Sequence, residues 1–249
     1  KLIGDLDYEM VNEGVDLAKF DPAAYILYRL SKSSFTRAYF ALTDGTVRPI
    51  KDGYEKNGDS LQDIIRPIAQ RKPSEYNSRF SQFAKDWNIR MANDGMNDFR
   101  MYLAARRLQN YHEKNLETGW TDEQLKQVID STTTPAIVEA AEKLQAFQNR
   151  ILDYVVDKGA MSAETADWIR ANNEFYVPLY RVMDEGDGKS LGERKMLDLN
   201  SPVRMRKGSQ REIIDPLESI IRNTYAMYSF ADRNEVSSIL FKNTEKRQD

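Results

Sequence analysis

Hydrophobic side chains recur every three or four residues along most of the chain, which is the spacing of amphipathic helices. The clearest stripe follows Thr134-Pro135, a helix N-cap with proline at the first helical position, and it ends before Gly159. Because the join to Ser162 is short, this long helix and the next one are predicted to pack antiparallel. The stripe consists of Ile137, Ala141, Leu144, Phe147, Ile151 and Val155.

Capping signals predict further helices on both sides of this hairpin. Asp21-Pro22 precedes a run without helix breakers from Tyr25 to Leu42, and Thr121 to Gln124 has the pattern of a capping box. Asp215-Pro216 begins a last long helix. An aromatic stripe at helical spacing adds another helix, and its members are Tyr76, Phe80, Phe83 and Trp87.

Two segments interrupt the helical pattern. Residues 43–58 contain the turn dipeptides Asp44-Gly45 and Asp52-Gly53, which favour a small hairpin or an irregular loop, and Pro49 weakens the strand interpretation. Residues 174–212 are expected to be extended, since Pro178 disfavours helix for the residue before it. The predicted fold is therefore all-α, a multi-helix, bundle-like domain of about eight helices with these two exceptions.

Composition agrees with a soluble globular protein, because 41% of the residues are hydrophobic, 30% are charged and the mean hydropathy is -0.67. No apolar run approaches the ~20 residues that a membrane-spanning helix needs. We expect residues 1–249 to form a single helical domain with a sub-boundary near 119–121. The first residue is Lys1 and the last residues form a charged run, so the domain is expected to be a fragment of a larger chain.

Candidate catalytic residues are few. Cysteine is absent, which excludes thiolate nucleophiles and thiolate metal sites, and His112 is the only histidine. No G-x-S-x-G motif accompanies it, and one histidine cannot form a two-histidine metal site. The acidic turn at 184–188 lacks the ligand spacing of a calcium loop. No catalytic residue, metal or cofactor is predicted, and a carboxylate-dependent hydrolase is kept as an alternative because the chain has 39 acidic residues.

A local reversal of charge marks residues 189–211. The chain has a net charge of -3, whereas this segment has seven basic and two acidic side chains, a net charge of +5. Such a cluster can bind nucleic-acid phosphates through release of counterions, or it can neutralise an acidic neighbour. The segment has no aromatic residue for base stacking. The candidate phosphate-binding residues are Lys189, Arg194, Lys195, Arg204, Arg206, Lys207 and Arg211.

The order of several short motifs resembles the helical accessory domains of large polyvalent proteins of tailed phages and related mobile elements. The resemblance extends from about Asp21 to Leu240, although residues 43–58 match no part of it. The motifs are Tyr25–Leu30, Phe99–Arg107, Glu117–Gly119, Tyr176–Arg181, Arg206–Ser209, Ile214–Leu217 and Arg222–Tyr225.

This resemblance implies a module of a very long phage protein that is packaged in the virion and ejected into the host. It implies a structural or interaction role, with enzymatic modules elsewhere in the parent chain. The expected partners are other virion proteins or other domains of the same chain, with DNA or a second copy as alternatives. The expected location is the virion interior and then the host cell, with the host cytoplasm during production.

Overall fold

The computed structural model describes residues 34–51, 53–70, 96–116, 118–173, 177–178 and 214–245. These residues form seven helices and one two-stranded sheet. The elements are α1 (34–43), β1 (Thr46–Ile50), β2 (Gly53–Gly58), α2 (Leu61–Ala69), α3 (Asn97–His112), α4 (Asp122–Thr132), α5 (Pro135–Asp157), α6 (Ala163–Asn172) and α7 (Pro216–Glu245). The predicted all-α fold is confirmed.

The insertion near 43–58 is an antiparallel hairpin. Thr46 pairs with Gly58 at one end and Ile50 with Gly53 at the other, and the register shifts after Thr46. Pro49 lies inside β1 and is tolerated, because both strands of a two-stranded sheet have an outer edge that needs no ladder donor. The hairpin interpretation is therefore confirmed, although Pro49 lies in one of its strands.

Gly45 connects α1 to this hairpin in a backbone conformation that favours glycine. Its φ is 143°, and its amide N–H donates to the Phe40 carbonyl at 2.7 Å. A Cβ at this position would lie 2.3 Å from the Lys56 Cε and 2.5 Å from the Gly58 carbonyl oxygen. The turn that starts β1 therefore requires glycine for its dihedral angle and for its close approach to β2.

Gly45→Ala is expected to lower the free energy of unfolding by roughly 2–4 kcal/mol, because the substitution adds backbone strain and a steric clash. Urea denaturation followed by circular dichroism measures this change. Gly159→Ala is the matched control. Gly159 has a φ of 67°, but the nearest atom to its Cβ would be 3.8 Å away, so strain alone should cost about 1–2 kcal/mol. Equal losses in the two variants would contradict the steric argument.

The predicted helix ends are largely confirmed. Side chains cap the N-termini of α2, α4, α5, α6 and α7, and the α4 cap is a reciprocal capping box. At the end of α5, the amides of Gly159 and Ala160 donate to the Val156 and Val155 carbonyls, the pattern of a Schellman motif. The capping residues are Ser60, Thr121, Thr134, Ser162 and Asp215.

Two helices end where local sequence signals alone would not place their ends. Pro67 does not interrupt α2, which continues to Ala69. A proline seven residues into a nine-residue helix removes a single late hydrogen bond, and the buried face at Leu61, Ile64 and Ile68 holds the helix in place. Helix α3 ends at His112, several residues before the Thr118-Gly119 stop that its sequence favoured.

Helix α5 is the central element of the core. It packs against α2, α3, α6, α7 and both strands of the hairpin, while α3 also packs against α4 and α7. The expected apolar stripe of α5 is buried, and Val177 in the predicted extended segment is buried with it. Tyr176, Leu179 and Tyr180 of the same segment lie outside the described residues. The largest fully buried side chains are Tyr154, Tyr228, Phe99, Phe147, Met101, Leu108, Leu125, Leu144 and Ile220.

The remaining predictions fall on different parts of the chain. The 76–87 aromatic stripe, the run before residue 34 and most of 174–212 lie outside the described residues. Helices α3 and α4 pack on each other across the suggested sub-boundary near 119–121. None of the described helices combines the length and apolar character that a membrane span requires.

Candidate structural site around Asp232

Asp232 lies at the junction of α1, α5 and α7. Its side chain is fully buried, and both of its carboxylate oxygens accept hydrogen bonds. Ser34 Oγ donates to Oδ2 at 2.5 Å, the Arg37 guanidinium donates to the same oxygen, and the Tyr154 hydroxyl donates to Oδ1 at 2.6 Å. One carboxylate therefore joins three helices, two of them nearly 200 residues apart in the chain.

The spacing of polar residues on α5 explains how this helix reaches the junction. Arg150, Tyr154 and Lys158 follow one another at intervals of four residues, so they share one face of the helix. Arg150 Nε donates to Thr46 Oγ1 at 2.7 Å, and Lys158 Nζ donates to the Tyr54 hydroxyl at 3.1 Å. This face therefore holds both strands of the hairpin against α5.

Close packing accompanies these polar contacts. A Cβ on Gly58 would lie 2.2 Å from Arg150 Nε, so glycine here lets the Arg150 side chain lie against β2. The Tyr154 ring lies 4.6 Å from the Tyr228 ring and 6.3 Å from the Tyr54 ring. The Arg37 guanidinium lies 4.8 Å from the centre of the Tyr54 ring. The carboxylate is thus enclosed by aromatic rings and cations.

The electrostatics of this junction keep Asp232 paired with donors. Burial disfavours the charge on Arg37, but the hydrogen bond and charge of Asp232 outweigh it and raise the pKa of Arg37. Burial, followed by the negative charge of Asp232, raises the pKa of Tyr154, which keeps its hydroxyl protonated as a donor. Burial also raises the pKa of Tyr228 to about 12, with the backbone amide of Val47 opposing the rise.

Lys158 lies at the edge of the Asp232 junction, directly after the last residue of α5. Its ammonium group lies 2.7 Å from both carboxylate oxygens of Glu235. Burial lowers the pKa of Lys158, but the hydrogen bonds to Glu235 and Tyr54 produce a net rise. The neighbouring Asn234 side chain donates to the Lys158 carbonyl at 3.1 Å. This contact joins α7 to the end of α5.

Two further buried cations join distant segments. Arg100 of α3 donates to Asp215 at 2.6 Å, and Asp215 also accepts the Leu217 amide at the start of α7. Arg107 of α3 donates to Asn173 at 3.2 Å, just after α6. Each of these contacts connects α3 to a segment more than 60 residues away.

His112 lies between α3 and α4. Its Nδ1 is 2.6 Å from Asp122, the first residue of α4, and its Nε2 contacts the Thr118 hydroxyl. Thr118 was not among the predicted site residues, because it lies in no G-x-S-x-G motif. The order of carboxylate, imidazole and hydroxyl matches that of a catalytic triad. However, Thr118 is only 3% exposed and its oxygen also accepts the Trp120 amide, so the arrangement favours holding the linker in place.

His112→Ala is expected to lower the free energy of unfolding by about 1–3 kcal/mol, because it leaves the buried Thr118 hydroxyl without its imidazole partner. Thermal and urea melts measure this loss. Glu113→Ala, one residue later and exposed, should change stability by less than about 0.5 kcal/mol. If His112→Ala abolished a functional readout of the parent protein while the melting temperature stayed unchanged, the linker interpretation would be wrong.

The candidate phosphate-binding residues between 189 and 211 lie outside the described residues. The pairs Arg222-Asn223 and Arg233-Asn234 of α7 are in the described part, and their spacing puts them at nearly the same angle around the helix. Arg222 and Arg233 are exposed, whereas Asn223 is buried and Asn234 half-buried. In the described ranges, no three acidic or histidine side chains cluster closely enough to hold a metal ion.

Comparisons with known protein families, with characterised proteins and with solved structures give no match for this chain.

Proposed function

We propose that this chain is a non-enzymatic structural or interaction module of a large phage protein, of the polyvalent or ejected internal virion class. The proposal combines the motif order that resembles those accessory domains with the Asp232 junction. In that junction, strongly polar side chains bind one another across elements that are far apart in sequence.

The long-range contacts of the buried polar side chains support a scaffold role for this chain. Asp232, Arg100 and Arg107 each bind a side chain at least 60 residues away in the chain, and each is nearly inaccessible to solvent. A buried charge is retained when its partners satisfy it, and removal of one partner from such a pair is strongly destabilising. These groups therefore determine a fixed arrangement of α1, α3, α5 and α7, which is the property that a module within a long chain needs.

The reading frame around this segment is the most informative test. We expect it to continue into a much longer protein, encoded beside genes for capsid and portal proteins. Mass spectrometry of purified virions should then detect peptides of this chain inside particles that withstand external protease. A short open reading frame among non-viral genes would rule out the phage assignment. Peptidoglycan zymogram or nuclease activity of the purified chain would instead favour the carboxylate-dependent hydrolase.

A nucleic-acid-binding module is the second candidate, because residues 189–211 have a net charge of +5 in an acidic chain. Replacing the last four basic residues of the segment with glutamine should abolish weak, salt-sensitive retention of DNA without changing the melting temperature. DNA retention at increasing salt measures this effect. Binding that survives the change would place the contact elsewhere, and unfolding would mean that these charges stabilise the fold. The four residues are Arg204, Arg206, Lys207 and Arg211.

A further inference from the structure

Helix α1 buries small residues and exposes large ones, the reverse of an ordinary amphipathic helix. Its inner face consists of Ser34, Ala38 and Ala41, which are buried, together with the largely buried Arg37. Its outer face consists of aromatic rings that are 61%, 50% and 44% exposed, those of Phe35, Tyr39 and Phe40 respectively. The inner contacts with Asp232 therefore hold α1 in an orientation that presents aromatic side chains to solvent.

The exposed aromatic surface continues onto α7. The Phe35 ring stacks on the Tyr225 ring with 5.1 Å between centroids, and Ile221 lies one helical turn before Tyr225 and is also exposed. We call Phe35, Tyr39, Phe40, Ile221 and Tyr225 the aromatic face. Aromatic residues are enriched in protein interfaces, and the largest contiguous apolar patch on a protein surface is often functional.

We propose that the aromatic face is a self-association surface that binds a second copy of this chain about a two-fold axis. The charges beside it fit this partner. Glu218 and Arg222 form an exposed pair on α7, at 2.6 Å, alongside Ile221 and Tyr225. A two-fold interface brings identical surfaces together, so a patch with one acid and one base is complementary to itself. A single-sign patch would instead repel its copy or favour a charged partner.

The size of the aromatic face agrees with the core of such an interface. Three aromatic side chains of ~200 Å² each, exposed by about half, present on the order of 300 Å² of apolar area. A stable dimer buries about 800 Å² on each partner, of which a central aromatic cluster supplies most of the affinity and a polar rim the rest. This pairing is independent of the proposed phage function, because either could hold without the other.

Sedimentation velocity on the full chain over a wide range of concentrations tests the proposal. We expect a reversible monomer–dimer equilibrium. Phe35→Ser combined with Phe40→Ser should weaken it by about thirtyfold or more, as loss of central interface aromatics does. Trp168→Ser is the matched control: Trp168 is 61% exposed, like Phe35, but lies on α6. The control should leave dimerisation unchanged. Circular dichroism checks folding, and Tyr39→Ser replaces the double variant if that variant unfolds.

A charge swap tests the two-fold geometry. Glu218→Arg alone should weaken the dimer, because residues 218 and 222 beside the aromatic face would then both be basic on each copy. Glu218→Arg together with Arg222→Glu should restore it, since each copy again presents one charge of each sign. A chain that is monomeric at every concentration would overturn the proposal. The proposal would also be overturned if the aromatic substitutions left the strength of dimerisation unchanged, or if Trp168→Ser weakened the dimer equally.

Discussion

Asp232→Ala is expected to lower the free energy of unfolding by about 3–5 kcal/mol, because it leaves the largely buried Arg37 without its counter-charge. The substitution also removes the acceptor for Ser34 and for the Tyr154 hydroxyl. Urea denaturation monitored by circular dichroism gives the change in the free energy of unfolding. Since the same carboxylate binds α1, we also expect proteases to cleave α1 faster in this variant.

Two further variants distinguish the loss of this buried carboxylate from the loss of an acidic side chain in general. Asp167→Ala removes an exposed partner of Arg170 on α6 and should cost less than about 1 kcal/mol. Arg37→Met combined with Asp232→Ala should cost less than the sum of the two single changes, because each change removes the same ion pair. If Asp232→Ala were as mild as Asp167→Ala, the three-helix junction would not hold the fold together.

Phe147→Ala is expected to destabilise the protein by about 3–5 kcal/mol, as deletion of a buried phenylalanine ring usually does. Phe147 is fully buried in the middle of α5, and this helix packs against α2, α3, α6, α7 and both strands of the hairpin. The vacated volume has neighbours on several sides that cannot all move into it. A thermal melt should show a large decrease in melting temperature with one cooperative transition.

Trp168→Ala is the control for ring size. Trp168 is a larger aromatic residue on α6, but it is mostly exposed, so its loss should change stability by less than about 0.5 kcal/mol. A small effect of Phe147→Ala would mean that packing around α5 contributes little to the stability of the core. Comparable losses in both variants would indicate that exposure in the folded chain does not determine the cost of removing a ring.

Local signals were sufficient to predict most of the helix ends. The side chains that cap a helix lie within three residues of the amides they accept, so Thr121 with Gln124 and Thr134 before Pro135 can be identified from neighbouring letters alone. The same holds for Gly159, whose positive φ ends α5. The hairpin was one of two alternatives, because the turn dipeptides favoured it and Pro49 opposed it.

The polar junction was less predictable. The four-residue spacing of Arg150, Tyr154 and Lys158 is visible in the sequence, but such a spacing predicts only a shared face of the helix and not what that face contacts. On α7, nothing local identified Asp232 as a buried acceptor. Its donors are 198, 195 and 78 residues away along the chain.

The sequence by itself therefore determined the helical class, most of the caps, the buried stripe of α5 and the absence of thiol chemistry. The tertiary structure decided which charges are buried and which aromatic rings are exposed. Phe35 and Phe147 are the same residue at helical positions, yet one is mostly exposed and the other fully buried. The physical reason is that periodicity orders residues around one helix, whereas burial depends on which distant element packs against each face.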